Sequence, residues 1–107
     1  METHEIWTIE KLRAQRATIE ELARRNRAFN VRVFGSVARG ENHPGSDIDF
    51  LVSFQPGSSI FDQVGLWLDL QELLHSEVDL LTDHPEAGQI TAVARQEASP
   101  LIAAPPQ

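Results

Sequence analysis

The feature that most constrains this chain is the stretch "SDIDFLVSF" (residues 46–54), in which two aspartates stand inside an apolar run. Apolar and polar residues alternate there, which predicts a β-strand over residues 47–54. Because successive side chains of a strand point to opposite faces, Asp47 and Asp49 share one face with Leu51 and Ser53. The opposite, core-facing positions are Ile48, Phe50 and Val52.

Two carboxylates on one face of a strand need a partner. Their Cα atoms lie about 7 Å apart, and at neutral pH both side chains are charged and repel. A divalent cation between them would turn this repulsion into attraction, and Mg²⁺ prefers such oxygen ligands. A later strand, "EVDLL" (77–81), has Asp79 between the apolar Val78 and Leu80. If the two strands are neighbours, the three aspartates can form a two-metal site.

A glycine–serine pair precedes the aspartates. Gly35 follows the apolar "VRVF" (31–34) and allows a tight turn, and Ser36 starts a short helical segment. Exposed N–H groups and a hydroxyl at such a turn can hold an anion. Each signal alone has an ordinary structural explanation: a Gly-Ser turn is common, and Arg39 can pair with a nearby carboxylate. The order and close spacing of the signals favour a site.

The remaining pattern predicts an α/β (α+β) fold, a small mixed sheet with helices packed on it. We expect helices at 9–28, 60–74 and 86–98, strands at 31–34, 47–54 and 77–81, and a loop at 41–46. The short loop allows the first two strands to be antiparallel neighbours. The chain of 107 residues suits one domain over 1–107, with a core at about 9–98 and a flexible tail at 99–107.

Composition excludes several classes of protein. The absence of cysteine excludes a disulfide-stabilised protein and a Cys-ligated metal site. No apolar run approaches the roughly 20 residues that span a bilayer, which excludes a transmembrane helix. The N-terminus lacks a signal-peptide core, so we expect a cytoplasmic protein without membrane contact. A net charge of −7 disfavours direct DNA binding. Seven of the nine basic residues precede residue 33, where they form either a solvated helix face or a docking surface.

The string "GSVARGENHPGSDIDFLV", with "VDLLT" downstream, resembles the minimal nucleotidyltransferase (MNT) group of the DNA polymerase β-like nucleotidyltransferases. The resemblance covers roughly residues 31–82 and implies the polymerase β-like core. It implies that Gly35 and Ser36, with Arg39 and Ser46 in the same motif, bind a nucleoside triphosphate. It also assigns the catalytic and metal-binding roles, with two Mg²⁺ ions, to Asp47, Asp49 and Asp79.

The same resemblance implies a function. Such a protein would transfer AMP from ATP to a tyrosine of a cognate HEPN toxin, acting as the antitoxin in a hetero-oligomer with it. The alternatives are a binding-only antitoxin with a vestigial site, or a nucleotidyltransferase acting on a small molecule or RNA. The helix at 60–74 is apolar around most of its circumference. Trp67 and its neighbours therefore either contact another chain or belong to an ordinary core.

Overall fold

The structure, a computed structural model, describes residues 6–41, 43, 46–83, 96 and 98–100. Four helices and four strands are seen in this part of the chain. They are, in order, α1 (Ile9–Ala14), α2 (Arg16–Arg25), β1 (Ala28–Phe34), α3 (Gly35–Arg39), β2 (Ile48–Phe54), α4 (Ile60–Leu74), β3 (Val78–Thr82) and β4 (Ser99–Pro100).

The strands form one mixed sheet in the order β3-β2-β1-β4. β1 and β2 are antiparallel, with Phe34 opposite Asp49, as the short connection between them predicts. β2 and β3 are parallel, because α4 carries the chain back across the sheet before β3 begins. The predicted fold class, a small mixed sheet with helices packed on it, is confirmed.

The core lies on one face of the sheet. Val33, Ile48, Phe50 and Val52 are buried there, with Val78 at the start of β3. Helices α1, α2 and α4 cover this face with Leu12, Ile19, Ala23, Leu66, Leu70 and Leu74. The alternation of β2 thus places Ile48, Phe50 and Val52 in the core as predicted, and leaves Asp49 on the opposite face.

Helix α4 has the predicted bounds because its N-terminus is capped. The Ser59 side chain accepts a hydrogen bond from the Phe61 amide, and the Asp62 carboxylate accepts one from the Ser59 amide. This capping box satisfies amides that otherwise lack partners in the first turn. Within the described residues, no helix is long and apolar enough to cross a membrane.

Four details differ from the sequence prediction. The helix expected at 9–28 is two helices, since the chain turns at Gln15, whose amide bonds to Leu12 O. β1 begins at Ala28 rather than at residue 31, with a bulge between Phe29 and Arg32. Asp47 immediately precedes β2, and β3 runs one residue later than predicted.

The face opposite the core is also partly covered. Leu51, predicted to share a face with Asp49, is fully buried although it lies outside the main core cluster. The helix predicted at 86–98 lies almost entirely outside the described residues. Two residues of the predicted tail, Ser99 and Pro100, pair with β1, and residues 101–107 lie outside the described part.

Candidate active site

Asp49 and Asp79 are direct neighbours in the sheet. They are register partners across the parallel β2–β3 pair, so their Cα atoms are separated by about one strand spacing, roughly 4.8 Å. Both side chains project from the face of the sheet opposite the core. The strand adjacency on which the sequence prediction depended is therefore present, and two of the three predicted carboxylates lie together.

The pKa of Asp49 reflects this crowding. The pKa of Asp49 is raised from 3.8 to about 6, chiefly by partial burial, then by the charge and hydrogen bond of Asp79 and by the charge of Asp47. The guanidinium of Arg39 opposes the rise. Among the residues that the structure describes, the cations therefore balance the negative charge around Asp49 only in part.

Gly35 lies against the Asp49 carboxylate. Its φ of +74° belongs to the left-handed region that favours glycine. A Cβ at this position would collide with Asp49 Oδ2. The turn that follows β1 and the carboxylate on β2 are therefore in contact, which brings the Gly-Ser pair and the Asp-x-Asp pair to one place.

Three other residues, Ser36, Arg39 and Ser46, are predicted to bind the nucleotide. Ser36 is half-buried in the first turn of α3, a turn without a side-chain cap. Arg39 is exposed and its Nε donates to Glu41 Oε1 at 2.7 Å. Ser46 Oγ accepts from the His43 amide at 2.8 Å, so that its hydroxyl stabilises the loop before β2.

The carboxylates fit a divalent cation by their chemistry. All three predicted ligands are hard oxygen donors of the kind that Mg²⁺ prefers, and a cation would offset the charge that raises the pKa of Asp49. Asp47 is exposed and acts on Asp49 by its charge. Among the residues that the structure describes, no group of three His, Asp or Glu side chains already has metal-ligating spacing. The metal-binding assignment therefore stays a prediction.

The sequence analysis missed one ion pair on the same face. Arg32 Nη2 lies 2.8 Å from Asp83 Oδ2, and both side chains are largely buried. Arg32 is opposite Leu51 in the register, and therefore on the face of Asp49. The alternation in "VRVF" would have placed it there. The pair ties β1 to the end of β3 across β2.

Comparison with known proteins identifies the class. Residues 15–99 match the nucleotidyltransferase domain family, which covers β1, α3, β2, α4 and β3. The chain belongs to this family, and the resemblance drawn from its motifs is confirmed.

Relatives refine this assignment. A Methanocaldococcus jannaschii protein that carries the name of a protein adenylyltransferase is 52% identical over 50 residues, 47% of this chain. The chain spans about half of that relative, since the match covers 54% of its length. A solved structure described as a minimal nucleotidyltransferase is 40% identical, with a TM-score of 0.76 over 88% of this chain and 96% of that one.

Toxin–antitoxin complexes share the fold. A chain from a toxin–antitoxin structure with AMP-PNP is 26% identical, with a TM-score of 0.66 over 79% of this chain and 70% of that one. A Shewanella oneidensis complex of a tri-AMPylated HEPN toxin with an MNT antitoxin has a TM-score of 0.61 over 84% and 71%. At 22% identity, this second likeness shows the fold alone.

Proposed function

We propose that this chain is a Mg²⁺-dependent protein adenylyltransferase that moves AMP from ATP to a hydroxyl of a partner protein. The observation that carries the proposal is the contact of Gly35 with Asp49, which in turn is paired with Asp79. The Gly-Ser turn lies beside a carboxylate pair, which supports a phosphate-binding role for that turn. The name of the M. jannaschii relative and the AMP-PNP of the toxin–antitoxin neighbour support the same reaction.

Each residue of the candidate site has a proposed role. Gly35 and Ser36 hold the β- and γ-phosphates, helped by the charge of Arg39, while Ser46 shapes the loop beside them. Asp47 and Asp49 would hold two Mg²⁺ ions, with Asp79 completing the ion on the nucleophile side. Bound Mg²⁺ lowers the pKa of the acceptor hydroxyl and offsets the charge of the leaving pyrophosphate.

The bond changes are those of a displacement at phosphorus. The acceptor oxygen bonds to the α-phosphorus, and the bond from that phosphorus to the bridging oxygen of the β-phosphate breaks. Pyrophosphate leaves with that oxygen. The hydroxyl proton passes to Asp79, which lines an open groove together with Ile60 and Trp67.

We further propose that the acceptor is a tyrosine of a cognate HEPN toxin, that the chain is its antitoxin, and that both act in the cytoplasm. The toxin–antitoxin neighbours support this partner. The charge pattern gives independent support, since residues 41–83 contain nine acidic residues and no lysine or arginine. Such a surface disfavours an RNA acceptor and suits a protein.

A transfer assay tests the proposal. The purified chain is incubated with the product of the adjacent gene, α-labelled ATP and Mg²⁺, and label on the product is followed by electrophoresis and mass spectrometry. We expect a labelled tyrosine that is absent with the Asp47→Ala/Asp49→Ala double variant. Glu10→Ala, which removes an exposed acid on α1, serves as the control and keeps activity. Transfer that survives the double variant would refute the assignment. Full neutralisation of the toxin in cells by that variant would establish the binding-only alternative.

A further inference from the structure

Helix α4 presents apolar side chains to solvent. We call these residues the α4 stripe; they are Ile60, Phe61, Val64, Trp67 and Leu68. Phe61 is 82% exposed and Ile60 61%, whereas the other side of the helix is fully buried. Each such side chain left in water forgoes the favourable transfer of apolar surface out of solvent. Contiguous exposed apolar surface of this kind marks an interaction site.

The stripe is continuous with the candidate active site. Ile60, Val64 and Trp67 line an open groove of about 360 Å³ whose other wall includes Asp79 and Leu80. The Trp67 indole donates to Val78 O at 2.7 Å, which fixes the ring beside β3. Asp79 is also the hydrogen-bond partner of Asp49. A segment that fills this groove therefore lies against a site carboxylate.

The surroundings of the groove are acidic. Asp79 lines the groove itself, the exposed Glu72 follows Leu68 of the stripe by one helical turn, and the exposed Glu77 precedes β3, whereas helix α4 carries no basic residue. A partner that covers the stripe must bring apolar side chains to the groove and positive charge to its rim. A second copy presenting the same face would set like charges against each other, which disfavours a symmetric dimer through this surface.

We propose that the α4 stripe docks the acceptor segment of the partner protein, an apolar segment flanked by lysine or arginine, and thereby brings its hydroxyl to Asp79. The inference rests on the proposed function and specifies how the acceptor is recognised. A nucleotide-binding turn and a carboxylate pair can activate a hydroxyl, and the groove determines which protein presents that hydroxyl.

Binding measurements separate this inference from the reaction. The product of the adjacent gene is titrated by calorimetry into the wild-type chain and into the Phe61→Glu/Val64→Glu variant. We expect the dissociation constant to rise about tenfold or more, because central apolar anchors carry most of an interface's energy. Phe29→Glu is the matched control, since Phe29 is a 46% exposed aromatic on β1 that does not line the groove.

Two further readouts complete the test. Mg²⁺ with ATP should raise the melting temperature of the wild type, the Phe61→Glu/Val64→Glu variant and the Phe29→Glu control equally, which would show that folding and the nucleotide site are intact. A photo-crosslinking residue at position 64 should attach to the partner peptide that carries the AMP, or to its direct neighbour. Rising salt should weaken the complex, since its rim is electrostatic.

The inference is overturned if the double variant binds like the wild type, or if the crosslink falls on a remote part of the partner. Self-association that depends on the stripe would assign the surface to a second copy instead. Stripe-dependent binding by a wild-type chain that transfers no label would refute the proposed reaction and retain the docking surface.

Discussion

Replacing Asp49 by asparagine should stabilise the metal-free protein. The Asp49 carboxyl is partly buried beside Asp79, and its pKa is raised to about 6. At neutral pH the folded chain therefore holds a charge that its surroundings disfavour. Asparagine has nearly the same shape, carries no charge and can donate a hydrogen bond to the Asp79 carboxylate.

The magnitude follows from the pKa. A pKa of about 6 in place of 3.8 means that the folded state disfavours the charged carboxylate by about 3 kcal/mol, at about 1.4 kcal/mol per tenfold change in proton affinity. Because Asp49 is only partly buried, solvent screens part of this, and we expect a gain of about 1–2 kcal/mol for Asp49→Asn. In a domain of this size that raises the melting temperature by about 4–15 °C.

The pH dependence has a definite sign. A raised pKa in the folded state means that the folded chain binds the proton more tightly than the unfolded chain. The wild-type stabilisation from this proton is complete below about pH 3.8 and is lost as the pH rises through about 6. The advantage of Asp49→Asn should therefore grow between pH 4.5 and 7.5, roughly the same window.

Urea denaturation in EDTA, followed by tryptophan fluorescence at both pH values, measures this directly. Asp47→Asn is the control, because Asp47 is exposed and its replacement should change stability by no more than about 0.5 kcal/mol. Millimolar Mg²⁺ with ATP should then stabilise the wild type and not Asp49→Asn. The reasoning is refuted if Asp49→Asn is no more stable than the wild type at pH 7.5.

Three other substitutions test the fold around the site. Gly35→Ala should cost about 2 kcal/mol or more in urea melts, because φ is +74° and the new Cβ meets Asp49; a neutral effect would contradict the close approach. Arg32→Met should destabilise by about 3 kcal/mol, since it removes the cation from a largely buried pair with Asp83, and an unchanged urea midpoint would argue against the pair. Ser59→Ala should cost about 1 kcal/mol and lower the thermal midpoint by about 4–8 °C through loss of the cap of α4; no change in midpoint would show the cap to be dispensable.

Local signals in the sequence predicted the parts of the fold that local physics determines. Helix α4 was predicted with its observed bounds because a long run of mostly apolar residues follows the turn-forming residues 55–59, and in the structure Ser59 caps its first turn. The alternation of β2 predicted the core positions and the opposite placement of Asp49, because successive side chains of a strand point to opposite faces. The Gly-Ser turn could be located because glycine tolerates the positive φ that the turn needs.

Tertiary contacts decide the parts that the sequence prediction missed. No glycine or proline marks the break at Gln15, and Arg27 and Asn30 adopt positive φ without being glycine. Pairing of Ala28 with Phe54 extends β1 into a stretch that had been assigned to the helix and its end. The adjacency of Asp49 and Asp79 depends on strand order, which alternation alone does not specify.

The parallel pairing of β2 with β3 has a consequence for the order in which the protein matures. Gly35 and Asp49 are joined by a short hairpin-like connection, which closes quickly as the chain folds. Asp79 arrives only after α4 has formed and crossed the sheet, a long-range step that is slower. A partly folded chain would therefore hold the turn and one carboxylate without the other. The complete candidate site, and the groove beside it, would be assembled only once β3 has paired with β2, which ties formation of the site to the native state.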